Sequence, residues 1–299
     1  VIPGRVVGAG RDMAEASERL RIAAAQTAPI LMDKEANLTG IADYLERAAE
    51  AGADLVVFPE CALTGYAIAD IVEAREMAEP VPGPSTESIE RLCRRLGCWA
   101  VIGLIESSER NLYNTAVLVG PGGIAARHRK AHLPHQGFDR FAMRGGGPLR
   151  VHDTAIGRIG LAICYDIFFP ETVRVLTLMG LELLAVPTNW AEGVEFYAMY
   201  LSQARAVENH VNLVAANRVG EERGFTFYGR SRIVDSYGRI LAEAGGGEEL
   251  IMAEVDMAEP GRKHVVRIPG EWEIDILRDR RPELYRLICA KGILEEERE

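Results

Sequence analysis

Apolar residues recur along this chain with two periods, and the alternation of those periods sets out its elements. Leu38, Ile41, Leu45 and Ala48 fall on one face, which predicts a helix over 34–51 that Gly52 stops. Ile89, Leu92 and Leu96 predict a second helix over 85–96. Short apolar runs at 21–27, 54–58, 99–105, 112–119, 124–128, 150–152 and 158–163 read as strands. The second half repeats this grammar. A helix near 170–179 ends at Gly180, a strand follows at 183–186, and a long helix over 194–209 leads to a strand at 212–216. A hairpin over 230–242 turns at Ser236-Tyr237-Gly238, and a strand at 249–255 closes the series.

Helix, glycine, apolar strand and proline occur in that order at 51–59 and again at 179–187. Alternating helices and strands imply an α/β architecture. The hairpins imply mixed sheets, so two sheets face to face with helices outside satisfy both signals. No stretch of disordered composition divides the chain. One domain is therefore expected over 21–280, after a polar lead-in at 1–20. The tail at 281–299 is charged, with Leu284, Leu287 and Ile288 as a small apolar side. It is too short to fold alone and is expected to pack at an oligomer interface.

Composition narrows the function. The chain has 299 residues, 48% of them hydrophobic, and a net charge of −10. That is enough apolar content for a substantial core. The acidic balance argues against nucleic acid and against an anionic membrane surface as partners. No apolar run approaches the roughly 18 residues of a membrane span, and Val1–Leu20 does not read as a signal peptide. Cys61, Cys93, Cys98, Cys164 and Cys289 are odd in number and scattered, unlike a disulfide framework. A reducing, cytoplasmic setting with free thiols is expected.

Three predicted strands end in residues with complementary chemistry. Ile163-Cys164-Tyr165-Asp166 puts a thiol where a strand gives way to a helix, near backbone N–H groups that stabilise a thiolate or an oxyanion. Phe58-Pro59-Glu60 puts a carboxylate at another strand end, where desolvation makes it a usable base. Arg129-Lys130-Ala131 puts an ammonium at a third. Taken singly, each has a bland reading: an inert core thiol, a salt-bridged glutamate, a solvated lysine. Together they describe a nucleophile, a base and an oxyanion partner.

With these pieces in order, the chain resembles the nitrilase, or carbon–nitrogen hydrolase, superfamily, in its amidase and carbamoylase-like branch. The resemblance rests on Phe58-Pro59-Glu60, the run Arg129 to Pro134, and the run Cys164 to Glu171. Pro187-Thr188-Asn189-Trp190, Ala204 to Asn209, Asn217 to Gly220, Gly229 to Ser231 and Asp235 to Gly238 support it. It implies a four-layer αββα sandwich with two mixed sheets. It also implies a catalytic triad of Glu60 as base, Lys130 as oxyanion partner and Cys164 as nucleophile, working through a thioester. Tyr165 would lend its backbone N–H to the oxyanion, and Asn189 and Trp190 would help to bind substrate. Many members carry a second glutamate a few residues after the lysine. Here His135-Gln136-Gly137-Phe138-Asp139-Arg140 has none, which leaves Gln136 or Gly137 at its place, with Asp139 able to substitute only if the loop shifts.

The activity expected is hydrolysis of a small linear amide to acid and ammonia, without a cofactor. An N-carbamoyl amine or N-carbamoyl amino-acid hydrolase is the alternative, and a non-catalytic regulatory protein of the same fold is another. The resemblance also implies a homodimer or larger homo-oligomer, built through the helix after Cys164 and the C-terminal tail. His128, His132 and His135 lack the pattern of a metal site, and His132 is expected to brace the lysine loop. Gly145-Gly146-Gly147 and Gly245-Gly246-Gly247 read as turns, since neither precedes Lys-Ser/Thr as a phosphate loop would. Phe196, Tyr197 and Tyr200 stand open between pocket and core.

Overall fold

The computed structural model describes residues 19–290. The first six-stranded sheet contains β1 (Arg19–Gln26), β2 (Leu55–Val57), β3 (Trp99–Ser108), β4 (Asn111–Gly120), β5 (Gly123–Arg129) and β14 (Glu249–Asp256), in the order β14-β1-β2-β3-β4-β5. The second contains β6 (Val151–Thr154), β7 (Gly157–Leu161), β8 (Leu183–Pro187), β9 (Asn212–Ala216), β12 (Arg232–Val234) and β13 (Ile240–Glu243), in the order β13-β12-β9-β8-β7-β6. Both are mixed. In the first, β1, β2 and β3 run parallel; in the second, β7, β8 and β9 do; the remaining pairings are antiparallel.

The sheets pack face to face. Ile22, Leu55, Val57, Val101 and Leu118 of the first share one apolar core with Ile159, Leu184, Leu213 and Ile233 of the second. The outer face of the first sheet is covered by α1 (Lys34–Glu50) and α3 (Pro84–Leu96), through Ile41, Leu45, Ala48, Ile89 and Cys93. Of the expected helical stripes, Ile41, Leu45, Ala48 and Ile89 are buried there, and Leu38, Leu92 and Leu96 pack half-buried against the same core. The second sheet is covered by α4 (Pro170–Leu178) and α5 (Glu195–Asn209), through Val173, Leu176 and Ala206. This is the four-layer αββα sandwich. The repeated helix–glycine–strand–proline unit supplies an interior strand to each sheet, β2 and β8.

Three features escape the hydrophobic pattern. The short helix α2 (Ile71–Met77) starts at Asp70, whose side chain accepts from the N–H groups of Val72 and Glu73. The hairpin of β10 (Val219–Glu222) and β11 (Phe225–Tyr228) lies outside both large sheets. So does the hairpin of β15 (His264–Ile268) and β16 (Trp272–Asp275), where Val266, Ile268, Trp272 and Ile274 stand exposed. Leu284, Leu287 and Ile288 of the tail are exposed as well. The lead-in before Arg19 and the end of the tail after residue 290 lie outside the described residues. No helix among the described residues is long and apolar enough to cross a membrane.

Candidate active site

Parallel pairing brings the C-terminal ends of several strands to one edge of the sandwich, where open α/β sheets bind ligands. Glu60 follows β2, Lys130 follows β5, Cys164 follows β7 and Asn189 follows β8. Two antiparallel steps, β3 to β4 and β4 to β5, return β5 to the direction of β2. The three residues singled out at strand ends are thereby gathered in space, and all are buried.

Lys130 is the hub. Its Nζ donates to Glu60 Oε1 at 2.7 Å and to Asp139 Oδ2 at 2.5 Å. Asn114 Nδ2 links the same two carboxylates, at 2.6 Å to Glu60 and 2.8 Å to Asp139. The Tyr66 hydroxyl donates to Asp139 Oδ2 at 2.9 Å. Burial works against the Lys130 charge, but Glu60 and Asp139 outweigh it and hold the ammonium well above the usual lysine range. Burial raises the Glu60 carboxyl; Lys130 pulls it back and Asp139 pushes it further, leaving it above the usual carboxylate range. Glu60 Oε2 has no hydrogen-bond partner among the described residues.

Cys164 occupies the left-handed region at φ +44°, which a residue with a side chain adopts at a cost. The strain sets the thiol on a sharp bend between β7 and the 3-10 turn Cys164–Phe168. Burial and then the Glu60 charge push the thiol up to about 12, against the smaller opposing effects of Lys130, the Thr188 hydroxyl and the Asn189 N–H. Cys164 is thus a thiol, with the Glu60 carboxylate among the groups that act on it. Tyr165 N–H has no backbone acceptor among the described residues, while its ring packs on Phe168 and Phe169.

Asp166 joins the cysteine turn to the lysine loop. It accepts from the backbone N–H groups of Ile163, Ala131 and His132, at 3.0, 3.2 and 3.0 Å. It also meets His128 Nε2 and His132 Nδ1, each at 2.9 Å. Burial opposes its charge, yet these histidines and N–H groups hold it well below the usual carboxylate range. An ionised carboxylate only accepts, so both ring nitrogens donate. His132 braces the lysine loop as expected, and His128 shares the task.

In the loop after Lys130, where the sequence leaves Gln136 or Gly137 at the place of the missing glutamate, the 3-10 turn Gly137–Arg140 sets Asp139 against Lys130. Gln136 contributes only its carbonyl, which accepts from Tyr66 Oη at 3.2 Å. Gly137 adopts φ +48°, and a Cβ there would lie 2.3 Å from the Tyr66 ring, so the turn needs glycine.

Asn189 and Trp190 are both buried in the site. Asn189 Nδ2 donates to the Glu60 carbonyl at 2.9 Å. Trp190 N–H donates to Asn217 Oδ1 at 2.7 Å, while its indole Nε1 lacks a partner among the described residues. Tyr66, Asn114 and Tyr228 were not singled out in the sequence. Burial raises the Tyr228 hydroxyl above its usual range, and that hydroxyl has no hydrogen-bond partner among the described residues. The polar Asn114 inside an apolar strand is the one signal that marks any of them. Cys61, beside Glu60, only meets Asn114 Oδ1 at 3.8 Å. Tyr200 is exposed, and the side chains of Phe196 and Tyr197 lie outside those described.

Comparison with known proteins places the chain in a family. The carbon–nitrogen hydrolase family model matches residues 21–262. A nitrilase of Pyrococcus abyssi is 35% identical over 269 residues, covering 89% of this chain and 99% of that protein. An omega-amidase of Xenopus tropicalis is 32% identical over 264 residues, covering 84% and 92%. The crystal structure of an amidase from Nesterenkonia sp. superposes with a TM-score of 0.76 at 30% identity, over 90% of this chain and 96% of that one. The protein belongs to the carbon–nitrogen hydrolase family.

Proposed function

We propose that the protein is an amidase that hydrolyses a small linear amide to acid and ammonia through a thioester on Cys164. The ammonium of Lys130, buried against Glu60 and Asp139 and close enough to influence the Cys164 thiol, carries this reading. Glu60 takes the thiol proton as sulfur attacks the amide carbonyl. Lys130 and the Tyr165 N–H receive the oxyanion, in a water-poor site where such donors act strongly. Glu60 returns the proton to the departing ammonia, then activates the water that releases the acid. Asp139 anchors Lys130, and Asn189 holds Glu60. Trp190 Nε1 and the Tyr228 hydroxyl have hydrogen-bonding capacity left for substrate.

Relatives support this reading. In a variant of the Nesterenkonia amidase, the acetamide moiety of fluoroacetamide is covalently added at the active site cysteine. Carbamoyl substrates present the same carbonyl chemistry, and product analysis distinguishes them. A panel of linear amides and N-carbamoyl compounds, assayed for both products, should give ammonia without carbon dioxide. Release of both from a carbamoyl compound would replace the amidase assignment, and no turnover of any compound would remove it.

The exposed apolar side chains of β15–β16 and the tail, with Val175 and Leu178 on α4 and Met179 just after it, fit a homo-oligomer surface. Light scattering should give a dimer or larger assembly. A monomer at micromolar concentration would contradict that.

A further inference from the structure

The edge strands β5 and β6 of the two sheets approach each other beside the Gly145-Gly146-Gly147 triplet, and a cavity of about 410 Å³ opens there. Its wall carries Arg127, Arg129, Arg144, Arg150, His128 and His152, and no carboxylate. In a chain of net charge −10 this is a marked local reversal. The buried Glu106 behind it binds Arg129 Nε at 3.0 Å and Arg127 Nη1 at 3.1 Å, so one carboxylate answers two guanidiniums. Arg144 and Arg150 have no hydrogen bond or ion pair among the described residues. Burial, then the charges of Arg150 and His128, hold the His152 imidazole below its usual range, in keeping with a positive field.

The cavity is separate from the cysteine site. Glu60, Lys130 and Cys164 do not line it. The Lys130 ammonium turns towards Glu60 and Asp139, and only its carbonyl meets this loop, accepting from Gly145 N–H at 2.8 Å. Gly146 and Gly147 have open space at the Cβ position, and their N–H groups have no backbone acceptor among the described residues.

We propose that this cavity is a second binding site, for a small phosphate-bearing molecule. Each guanidinium fork matches a pair of phosphate oxygens, and the free forks with the glycine N–H groups outnumber what one carboxylate can accept. The volume lies within the roughly 300–1,000 Å³ of small-ligand sites, leaving room for a modest body beyond the phosphate. The triplet is not followed by Lys-Ser/Thr, so recognition here rests on arginines instead of a nucleotide phosphate loop.

Isothermal titration of the full chain at matched ionic strength tests this, with ribose 5-phosphate, inorganic pyrophosphate and citrate as separate probes. Ribose 5-phosphate or pyrophosphate should saturate one site per chain, with affinity falling as salt rises. The double variant Arg144→Ala/Arg150→Ala should weaken that binding at least tenfold. Both positions are exposed, and circular dichroism would verify that the fold is intact. Binding of ribose 5-phosphate points to an organic phosphate, and of pyrophosphate alone to an inorganic one. Tighter binding of citrate than of either would overturn the phosphate assignment. No saturable binding, or equal affinity in the variant, would overturn the site.

Discussion

The side-chain amide of Asn189 donates to the backbone carbonyl of Glu60 at 2.9 Å, tying the end of β8 in one sheet to the end of β2 in the other. Glu60 and Cys164 follow strands of different sheets, so their separation depends on such ties. Gly103 on β3 serves the same end: a Cβ there would lie 2.8 Å from Glu60 Cα and 2.7 Å from the Pro59 carbonyl. Asn189→Ala should lower kcat about 100-fold, as a small misplacement of a reacting group does. The fold should persist by circular dichroism. An unchanged kcat would show that Glu60 needs no such tether.

Asp139 is the second carboxylate, beside Glu60, that holds Lys130. Asp139→Asn keeps the shape but removes the charge, and should lower kcat by roughly 10²–10³ through a misplaced oxyanion donor. Asp139→Glu should retain more activity than Asp139→Asn, because the charge remains. Steady-state kinetics of the two variants give the comparison, and equal losses would mean that shape alone matters there.

Glu60 and Cys164 were legible as a cluster with Lys130 because each follows an apolar run, while Lys130 follows a strand that ends in Arg127-His128-Arg129; a strand end is a position the sequence pattern marks. Asp139 was only half legible. Its place depends on the turn at Gly137 packing on Tyr66, a contact across 71 positions that no local pattern reports. Asn114 works through the β3–β4 register, and Tyr66 through a loop shaped by tertiary contacts. The hairpin β15–β16 was missed for a different reason. Its apolar residues face outward, so it has no buried face to generate an amphipathic signal.

The charge states give a pH dependence. A thiol pushed up to about 12 stays protonated at neutral pH, so its reactivity relies on ionised Glu60. The Glu60 carboxyl lies above its usual 4.5, and the site is therefore inactive below that raised value and gains activity as pH climbs through it. Alkylation of Cys164 by iodoacetamide, followed by peptide mapping, should show this rise. Glu60→Gln should flatten it, and persistence of the rise in that variant would assign it to another group.

Asp166 makes a stability prediction. Its folded carboxyl lies below the ordinary value, so its contribution is present above roughly pH 4 and disappears as pH falls through the folded value. Asp166→Ala should cost about 3 kcal/mol at neutral pH by stranding two histidines and three N–H donors. Urea unfolding at neutral and at strongly acidic pH measures both effects. A variant as stable as the parent at neutral pH would refute the role.

Covalent catalysis by Cys164 requires an acyl-enzyme to form on its sulfur. The most direct measurement is acid-quenched mass spectrometry of the enzyme during turnover of a linear amide, paired with ammonia release by Cys164→Ala. The expected result is an adduct of the acyl mass on the peptide bearing Cys164, and no ammonia from a folded Cys164→Ala. Continued ammonia release by Cys164→Ala, with no acyl adduct on the parent enzyme at any quench time, would contradict it.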